Sequence, residues 1–136
     1  MRSDVAVSYR GRSWLQALPA LEWYMITGHF ADVKEERPQL AGMQATIRWL
    51  IAEKEGAPHF AMRVIEIKRK GEKIPLHRHD YEHEIFIIEG KGNVLSPGGA
   101  TPVAYGSFVY AAPSEEHGFE NTGDVPFRFI CVIPKQ

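Results

Sequence analysis

Hydrophobic and polar residues alternate along most of the chain in short segments, which are separated by turn-forming residues. Alternation with a period of two is typical of strands that bury one face. In segment 59–71, one strand face carries Ala61, Arg63, Ile65 and Ile67. Similar segments are 45–52, 84–90, the hairpin-like 91–106, 107–113, 116–123 and 127–134. Many short strands with no long helix between them predict an all-β, antiparallel sandwich or barrel.

Residues 1–44 do not follow this pattern and are expected to form an N-terminal extension, followed by a single β domain at 45–136. Trp14, Leu15, Leu18 and Leu21 recur at helical spacing, but Pro19 limits a helix there to a turn or two. We expect this apolar stretch to be an arm that packs on its own barrel or on a second subunit. The alternative is a lid over a substrate site.

Composition narrows the class of protein further. A chain of 136 residues is long enough for one ordinary domain. The formal net charge is −1, without a block of like charges, so we expect neither a nucleic-acid nor a membrane partner. The single cysteine, Cys131, excludes an intramolecular disulfide and fits a reducing compartment, so a cytoplasmic location without a cleaved leader is expected.

Histidines supply the candidate chemistry. His77, His79 and His83 lie within seven residues, and His117 lies on a later predicted strand. Residues two apart in an extended chain point to the same face, so these imidazoles are able to meet at one point. Neutral imidazole is the commonest side-chain ligand of transition metals. We therefore predict a metal site at these four residues; an exposed cluster without a role is the alternative.

The spacing around these histidines resembles the first motif of the cupin family. Gly71 is followed by five residues and then by His77 and His79, as in that motif. A glutamate usually follows as the third ligand, and a glycine closes the motif six residues later. Here His83 has this spacing to Gly90, whereas Glu84 does not. The register thus favours His83 as the third ligand, with Glu84 on the opposite strand face.

A second stretch resembles the second cupin motif. Gly106 is followed at the expected spacing by His117 and Asn121. Two positions depart from the motif: Ala112 stands where the family commonly has proline, and Ser114 where it has glycine. These departures concern turn geometry more than ligands.

The resemblance covers about 45–135 and implies a small single-domain cupin, a jelly-roll barrel with a four-histidine, manganese-type site. It implies one divalent metal, with manganese or iron favoured and nickel, copper or zinc also suited to imidazole. Open coordination positions would suit a dioxygenase-type oxidoreductase that acts on a small organic molecule. The alternatives are a non-catalytic, metal-dependent binder or sensor and a metal-using isomerase. Small cupins are often dimers, so a homodimer is expected.

Strand alternation also suggests the walls of a substrate pocket. Phe119 shares a face with His117, and Phe129 and Cys131 share an apolar face of the last strand. Cys131 is either part of the pocket or a small buried hydrophobe. Arg63 shares its face with apolar neighbours, so it is expected either to meet a substrate carboxylate or to pair with a surface glutamate. Tyr110 is a further inward candidate, as a proton shuttle.

Overall fold

The structure is a computed structural model that describes residues 25–136. The helical turn expected around 14–21 lies outside the described residues. The chain divides between Lys34 and Glu35 into two units. In the described part of the first unit, Phe30–Asp32 form a 3-10 turn that the His29 side chain caps.

Two antiparallel sheets make up the second unit. The five-stranded sheet has the order β1-β2-β9-β4-β7, and the four-stranded sheet has the order β3-β8-β5-β6. The strands are β1 Thr46–Ile51, β2 Phe60–Ile67, β3 Lys73–His77, β4 His83–Glu89, β5 Lys91–Ser96, β6 Gly99–Ala104, β7 Phe108–Ala111, β8 His117–Asn121 and β9 Phe127–Pro134. A further 3-10 turn, Glu53–Glu55, joins β1 to β2. This arrangement confirms the predicted all-β, jelly-roll architecture.

One strand, β3, was not among the predicted segments. It contains Pro75, and Ile74 is its only fully buried residue, so it lacks the hydrophobic alternation of the other strands. Strand β3 lies at the edge of its sheet, where a proline is tolerated because only one side of the strand must pair. Strand β3 brings His77 directly opposite His117 on β8.

The core lies between the two sheets. The last strand alternates strictly, with Phe127, Phe129, Cys131 and Ile133 buried. From the opposite sheet, the Phe119 ring packs on Phe129 with centroids 4.6 Å apart. Burial of aromatic and branched side chains from both sheets provides the main stabilisation of such a sandwich.

Asn121, the last residue of the second motif, has a structural role in this core. Its side-chain amide donates hydrogen bonds to the carbonyl oxygens of Ile67 and Val125, and its Oδ1 accepts one from the Gly123 amide. The residue is completely buried, and a buried polar group must be satisfied in this way. Asn121 therefore fixes the turn between β8 and β9.

Gly118 allows the two histidine-bearing strands to approach each other closely. A Cβ at this position would lie 2.5 Å from the Ile74 carbonyl oxygen, so no larger residue fits without moving the backbone. The residue follows His117 directly. Its absent side chain therefore helps to set the distance between β3 and β8 at the histidines.

The segment before β1 belongs to the same unit as the sheets. Glu36 forms an isolated bridge with Ile47 of β1, and residues from 35 onward are grouped with the strands. The predicted division at residue 44/45 stays a prediction. Among residues 25–136, no helix has the length and apolar character needed to cross a membrane.

Candidate metal centre

Three of the four predicted histidines come together in a tight group. The ligand nitrogens of His77, His79 and His117 all lie within 4.8 Å of one another. His77 ends β3 and His117 begins β8, and their rings are 4.5 Å apart between centroids. His79 comes from the loop after β3. The group is therefore built by one strand pair and the adjoining loop.

Ser114 helps to hold this loop. It is the only non-glycine residue with a positive φ, 66°, among residues 25–136, and it occupies a position where the second motif has glycine. Its backbone N–H donates a hydrogen bond to the carbonyl oxygen of His79. The departure at Ser114 thus keeps the left-handed backbone that glycine favours, at some cost in strain. The sequence alone did not connect Ser114 with His79.

Backbone carbonyls orient two of the imidazoles. Nδ1 of His77 lies 2.8 Å from the Pro75 carbonyl oxygen, and Nδ1 of His117 lies 2.8 Å from that of Glu115. In each case the carbonyl belongs to the residue two positions earlier. A carbonyl oxygen only accepts, so each Nδ1 carries the proton, which leaves the Nε2 lone pair for a metal ion.

His83 lies beside this group but is not part of the tight set. It begins β4 in the other sheet, and its ring centroid is 4.7 Å from that of His79 and 5.0 Å from that of His117. The side chain is buried, whereas Glu84 is exposed on the opposite face of β4. This is the orientation expected from the motif spacing.

Side chains, rather than carbonyls, contact Nδ1 of His83. The Cys131 Sγ lies 3.1 Å from this nitrogen, and Nη2 of Arg63 lies 3.5 Å from it. Arg63 Nη2 also donates a hydrogen bond to Cys131 Sγ at 2.9 Å. His83 therefore belongs to a buried group of three side chains from β2, β4 and β9.

Burial keeps the imidazoles neutral. It lowers the pKa of His83 to about 3, with a further lowering from the Arg63 charge. It lowers the pKa of His79 to about 4, and the neighbouring His77 and His117 add to this effect. The pKa of His117 is also lowered by burial, against a smaller opposing effect of the Glu115 carbonyl. At neutral pH these rings are uncharged and offer lone pairs.

The donor set fits a divalent transition metal. Nε2 of His83 and Nε2 of His117 are buried and have no hydrogen-bond partner among residues 25–136. Such orphan atoms are rare in folded proteins, and a cation that accepts their lone pairs would satisfy them. Exposed histidines without a role, the alternative reading of the sequence, do not account for these buried nitrogens.

A mostly apolar cavity of about 170 Å³ adjoins the histidines. All four tentative pocket residues, Arg63, Phe119, Phe129 and Cys131, line it together with His77, His79, His83 and His117. The remaining lining is aliphatic. Three lining residues, Pro38, Leu40 and Met43, precede the predicted start of the β domain, and no motif or alternation marked them.

Two expectations about polar groups need correction. Tyr110 is 56% exposed and lies opposite Glu84 on the outer face of the β4–β7 pair, so it is not an inward proton shuttle. Arg63 forms no ion pair with a glutamate of residues 25–136, because its side chain faces the interior and is only 7% exposed. Tyr81, which the sequence did not single out, stacks on the His79 ring with centroids 4.8 Å apart.

The fold and the site together define a class: a jelly-roll protein with a cluster of buried and half-buried imidazoles beside an apolar cavity. Residues 64–133 match the family model described as "Cupin domain". This segment is more than half of the chain, and the chain therefore belongs to the cupin family.

Solved and curated proteins agree with this assignment. The chain resembles the polyketide cyclase RemF from Streptomyces resistomycificus at 31% identity and a TM-score of 0.78, which covers 83% of this chain and 81% of that one. It is 34% identical over 64 residues to the oxalate-binding protein of Thermotoga maritima, covering 46% of this chain and 53% of that protein. It is 30% identical over 125 residues to a glucose-6-phosphate isomerase of Pyrococcus abyssi, covering 79% and 65%. The chain thus spans between half and two thirds of these curated relatives.

Proposed function

We propose that this chain is a metal-dependent enzyme that acts on a small oxygenated organic molecule, with His77, His79, His83 and His117 as metal ligands. One observation carries the proposal. Nitrogens of His77, His79 and His117 lie within 4.8 Å of one another at the wall of an apolar cavity, and the buried Nε2 atoms of His117 and of the adjacent His83 have no hydrogen-bond partner among residues 25–136. The fold by itself serves many chemistries, so the reaction must be argued from the site.

The chain's own residues suit this role in three ways. An imidazole ligand adds no negative charge, so a bound divalent ion would keep its full charge and polarise an oxygen donor strongly. The aliphatic and aromatic walls exclude water and hold an apolar body against the histidines. Among the lining residues that the structure describes there is no carboxylate to act as an acid or base, so chemistry by the described lining depends on the histidines, Arg63 and Cys131.

We favour a non-redox reaction in which a carbonyl group is polarised, as in a cyclisation. The support is the likeness to a polyketide cyclase along more than four fifths of both chains, together with the mostly apolar cavity. Zinc, manganese or another divalent ion would serve in such a reaction, because no change of oxidation state is needed.

The second candidate is the dioxygenase-type oxidoreductase expected from the sequence. Its specific support is the all-imidazole donor set, which suits manganese or iron, and a cavity whose apolar walls would shield a reactive centre from water. A third class, a non-catalytic binder, is kept as an outcome of the experiment below. The homodimer and the cytoplasmic location stay predictions.

Metal replacement separates these candidates. The purified protein is stripped with a chelator, reloaded separately with zinc, manganese and ferrous iron, and assayed for metal content. Each form is then incubated with a short linear poly-β-keto acid, with cyclisation followed by mass spectrometry and absorbance, and oxygen consumption by an electrode. The matched control is the double variant His77→Ala/His117→Ala.

We expect one metal ion per chain and turnover with redox-inert zinc as well as with manganese. Turnover that requires manganese or iron and consumes oxygen would favour the oxidoreductase instead. Stoichiometric metal without either activity would point to a binder. If no form of the wild type retains metal, or if the double variant retains it equally well, the proposed metal centre is wrong.

A further inference from the structure

Arg63 places a positive charge inside the protein. It lies in the middle of β2, where its register partners are Trp49 on β1 and Cys131 on β9. Its side chain faces the interior, is only 7% exposed and lines the cavity beside the histidines. Arginine keeps its charge in proteins, so this guanidinium is a permanent buried cation.

The contacts of this guanidinium do not include a carboxylate. Nη2 donates to Cys131 Sγ at 2.9 Å and lies 3.5 Å from Nδ1 of His83. Nε is buried and has no hydrogen-bond partner in the described part of the chain, residues 25–136. No aspartate or glutamate among residues 25–136 forms an ion pair with Arg63.

Arg128 on the neighbouring strand β9 makes a useful contrast. It lies on the outer face of the sheet, where its Nε donates to Glu66 Oε2 at 2.6 Å and its Nη1 pairs with Glu89. The acidic residue of β2, Glu66, thus points away from Arg63 and towards Arg128. Among residues 25–136, carboxylates pair with the outer arginine, Arg128, but none pairs with the inner one, Arg63.

A buried charge without a counter-ion is costly, because it gives up hydration without an equivalent replacement. The Trp49 ring, 5.3 Å from the guanidinium carbon, returns part of this loss through a cation–π contact. The rest of the lost hydration free energy is not compensated. The guanidinium lies at the cavity wall, where a ligand is able to reach it. Unpaired buried cations in a concave, apolar site are typical of anion recognition.

We propose that Arg63 binds the carboxylate of the substrate, so that the ligand of this cavity is a small organic acid with an apolar body. The apolar body would lie against walls such as Ile65, Phe119 and Phe129, and a second oxygen would face the histidines. This inference rests on the proposed function, because it assigns the substrate class of the same cavity.

Benzoate and its neutral isostere benzamide test the charge requirement directly. Both are titrated by calorimetry into wild-type protein, metal-free and zinc-loaded, and into Arg63→Met and Arg63→Lys. The matched control is Arg69→Gln, which removes an exposed arginine that pairs with its neighbour Glu72. Zinc content is measured for every sample.

We expect wild-type protein to bind benzoate at least about tenfold more tightly than benzamide, the usual scale of a charge-assisted hydrogen bond. Arg63→Met should lose this preference, Arg63→Lys should keep part of it, and Arg69→Gln should bind as the wild type does.

Without ligand, Arg63→Met should unfold at a higher temperature than the wild type, because it removes an unpaired buried charge. Benzoate should raise the unfolding temperature of the wild type but not of Arg63→Met.

Equal affinities of the wild type for benzoate and benzamide would overturn the assignment, whether or not the variants fold. So would an Arg63→Met protein that binds benzoate as the wild type does. Zinc content keeps the two proposals apart. Loss of zinc binding with retained benzoate preference in metal-free protein contradicts only the metal centre, whereas stoichiometric zinc without benzoate preference contradicts only the role of Arg63.

Discussion

The two sheets hold their histidines in different ways. His77 and His117 in the four-stranded sheet are oriented by backbone carbonyls, each two residues earlier in the chain. His83 in the five-stranded sheet is oriented by side chains, Cys131 and Arg63, that lie 48 and 20 residues away in sequence. The first arrangement follows from the strand backbone and survives most substitutions nearby. The second depends on the identity of two particular residues.

This difference shows which histidine orientations depend on the backbone and which depend on neighbouring side chains. Carbonyl oxygens can only accept, so they hold His77 and His117 with Nε2 free. A thiol can donate or accept, so Cys131 does not by itself determine which nitrogen of His83 carries the proton. The half of the site that includes Arg63 and Cys131 therefore depends on side-chain identity, whereas the other half depends on backbone carbonyls.

The largest expected effect tests whether both sheets contribute to one site. His83→Ala should lower metal occupancy severely, by more than the ~10–100-fold that loss of an outer partner costs, because it removes a ligand rather than a support. Glu84→Ala is the matched control, since Glu84 is exposed on the opposite face of the same strand. Metal content after dialysis against a graded chelator series measures both.

The reverse result would change the picture of the site. If Glu84→Ala lost metal and His83→Ala kept it, Glu84 would be the ligand, as in cupins with three histidines and one glutamate. If neither variant changed metal content, the metal would be held by the four-stranded sheet and the His79 loop alone.

A smaller effect is expected from the side chain that supports His83. Cys131→Ala removes the sulfur beside Nδ1, so metal affinity should fall about 10–100-fold while the tight group of His77, His79 and His117 stays in place. Isothermal titration with zinc measures this change. Cys131→Ser keeps a small donor and acceptor, so it should lie closer to the wild type; equal affinity of all three proteins would mean that Cys131 only fills space.

The smallest effect concerns stability and pH in the metal-free protein. The pKa of His83 is lowered to about 3 and that of His79 to about 4, so between these values and about 6.5 the unfolded chain binds more protons than the folded one. The free energy of unfolding should therefore be highest above pH 6.5 and fall as the pH is lowered. A histidine that stays neutral in the folded chain changes the free energy of unfolding by at most ~1.4 kcal/mol per pH unit. We expect a smaller contribution from His79, because it is only partly buried.

Urea denaturation at pH 7, 6, 5 and 4.5 with chelator present measures this slope. His83→Asn removes the group with the larger shift, so its slope should be shallower than that of the wild type. His59→Asn is the matched control, because it removes an exposed histidine in the turn before β2. A wild-type slope that matches that of His83→Asn would contradict the burial of a neutral His83.

Much of this protein follows from the sequence alone. Alternation with a period of two marked β1, β2 and β9, because a half-buried strand imposes this pattern locally, and an apolar run ended by Gly90 marked β4. The spacing from His83 to Gly90 indicated that His83 faces inward and Glu84 outward, since parity along a strand is fixed by its geometry. The alternation of apolar residues in β9 likewise predicts its inner face.

Only the tertiary structure decided which distant residues meet. Strand β3 lacks its own alternation, and it is a strand because it pairs with β8 and brings His77 opposite His117. Arg63, His83 and Cys131 lie on three strands, and their contact depends on the sheet order β2-β9-β4. Strand parity placed Arg63 among the pocket residues, but its lack of an ion pair within residues 25–136 could not be foreseen, because the chain holds many acidic residues and only the packing shows which of them it meets. Local geometry fixes parity and turns, whereas long-range pairing determines the chemistry of the cavity.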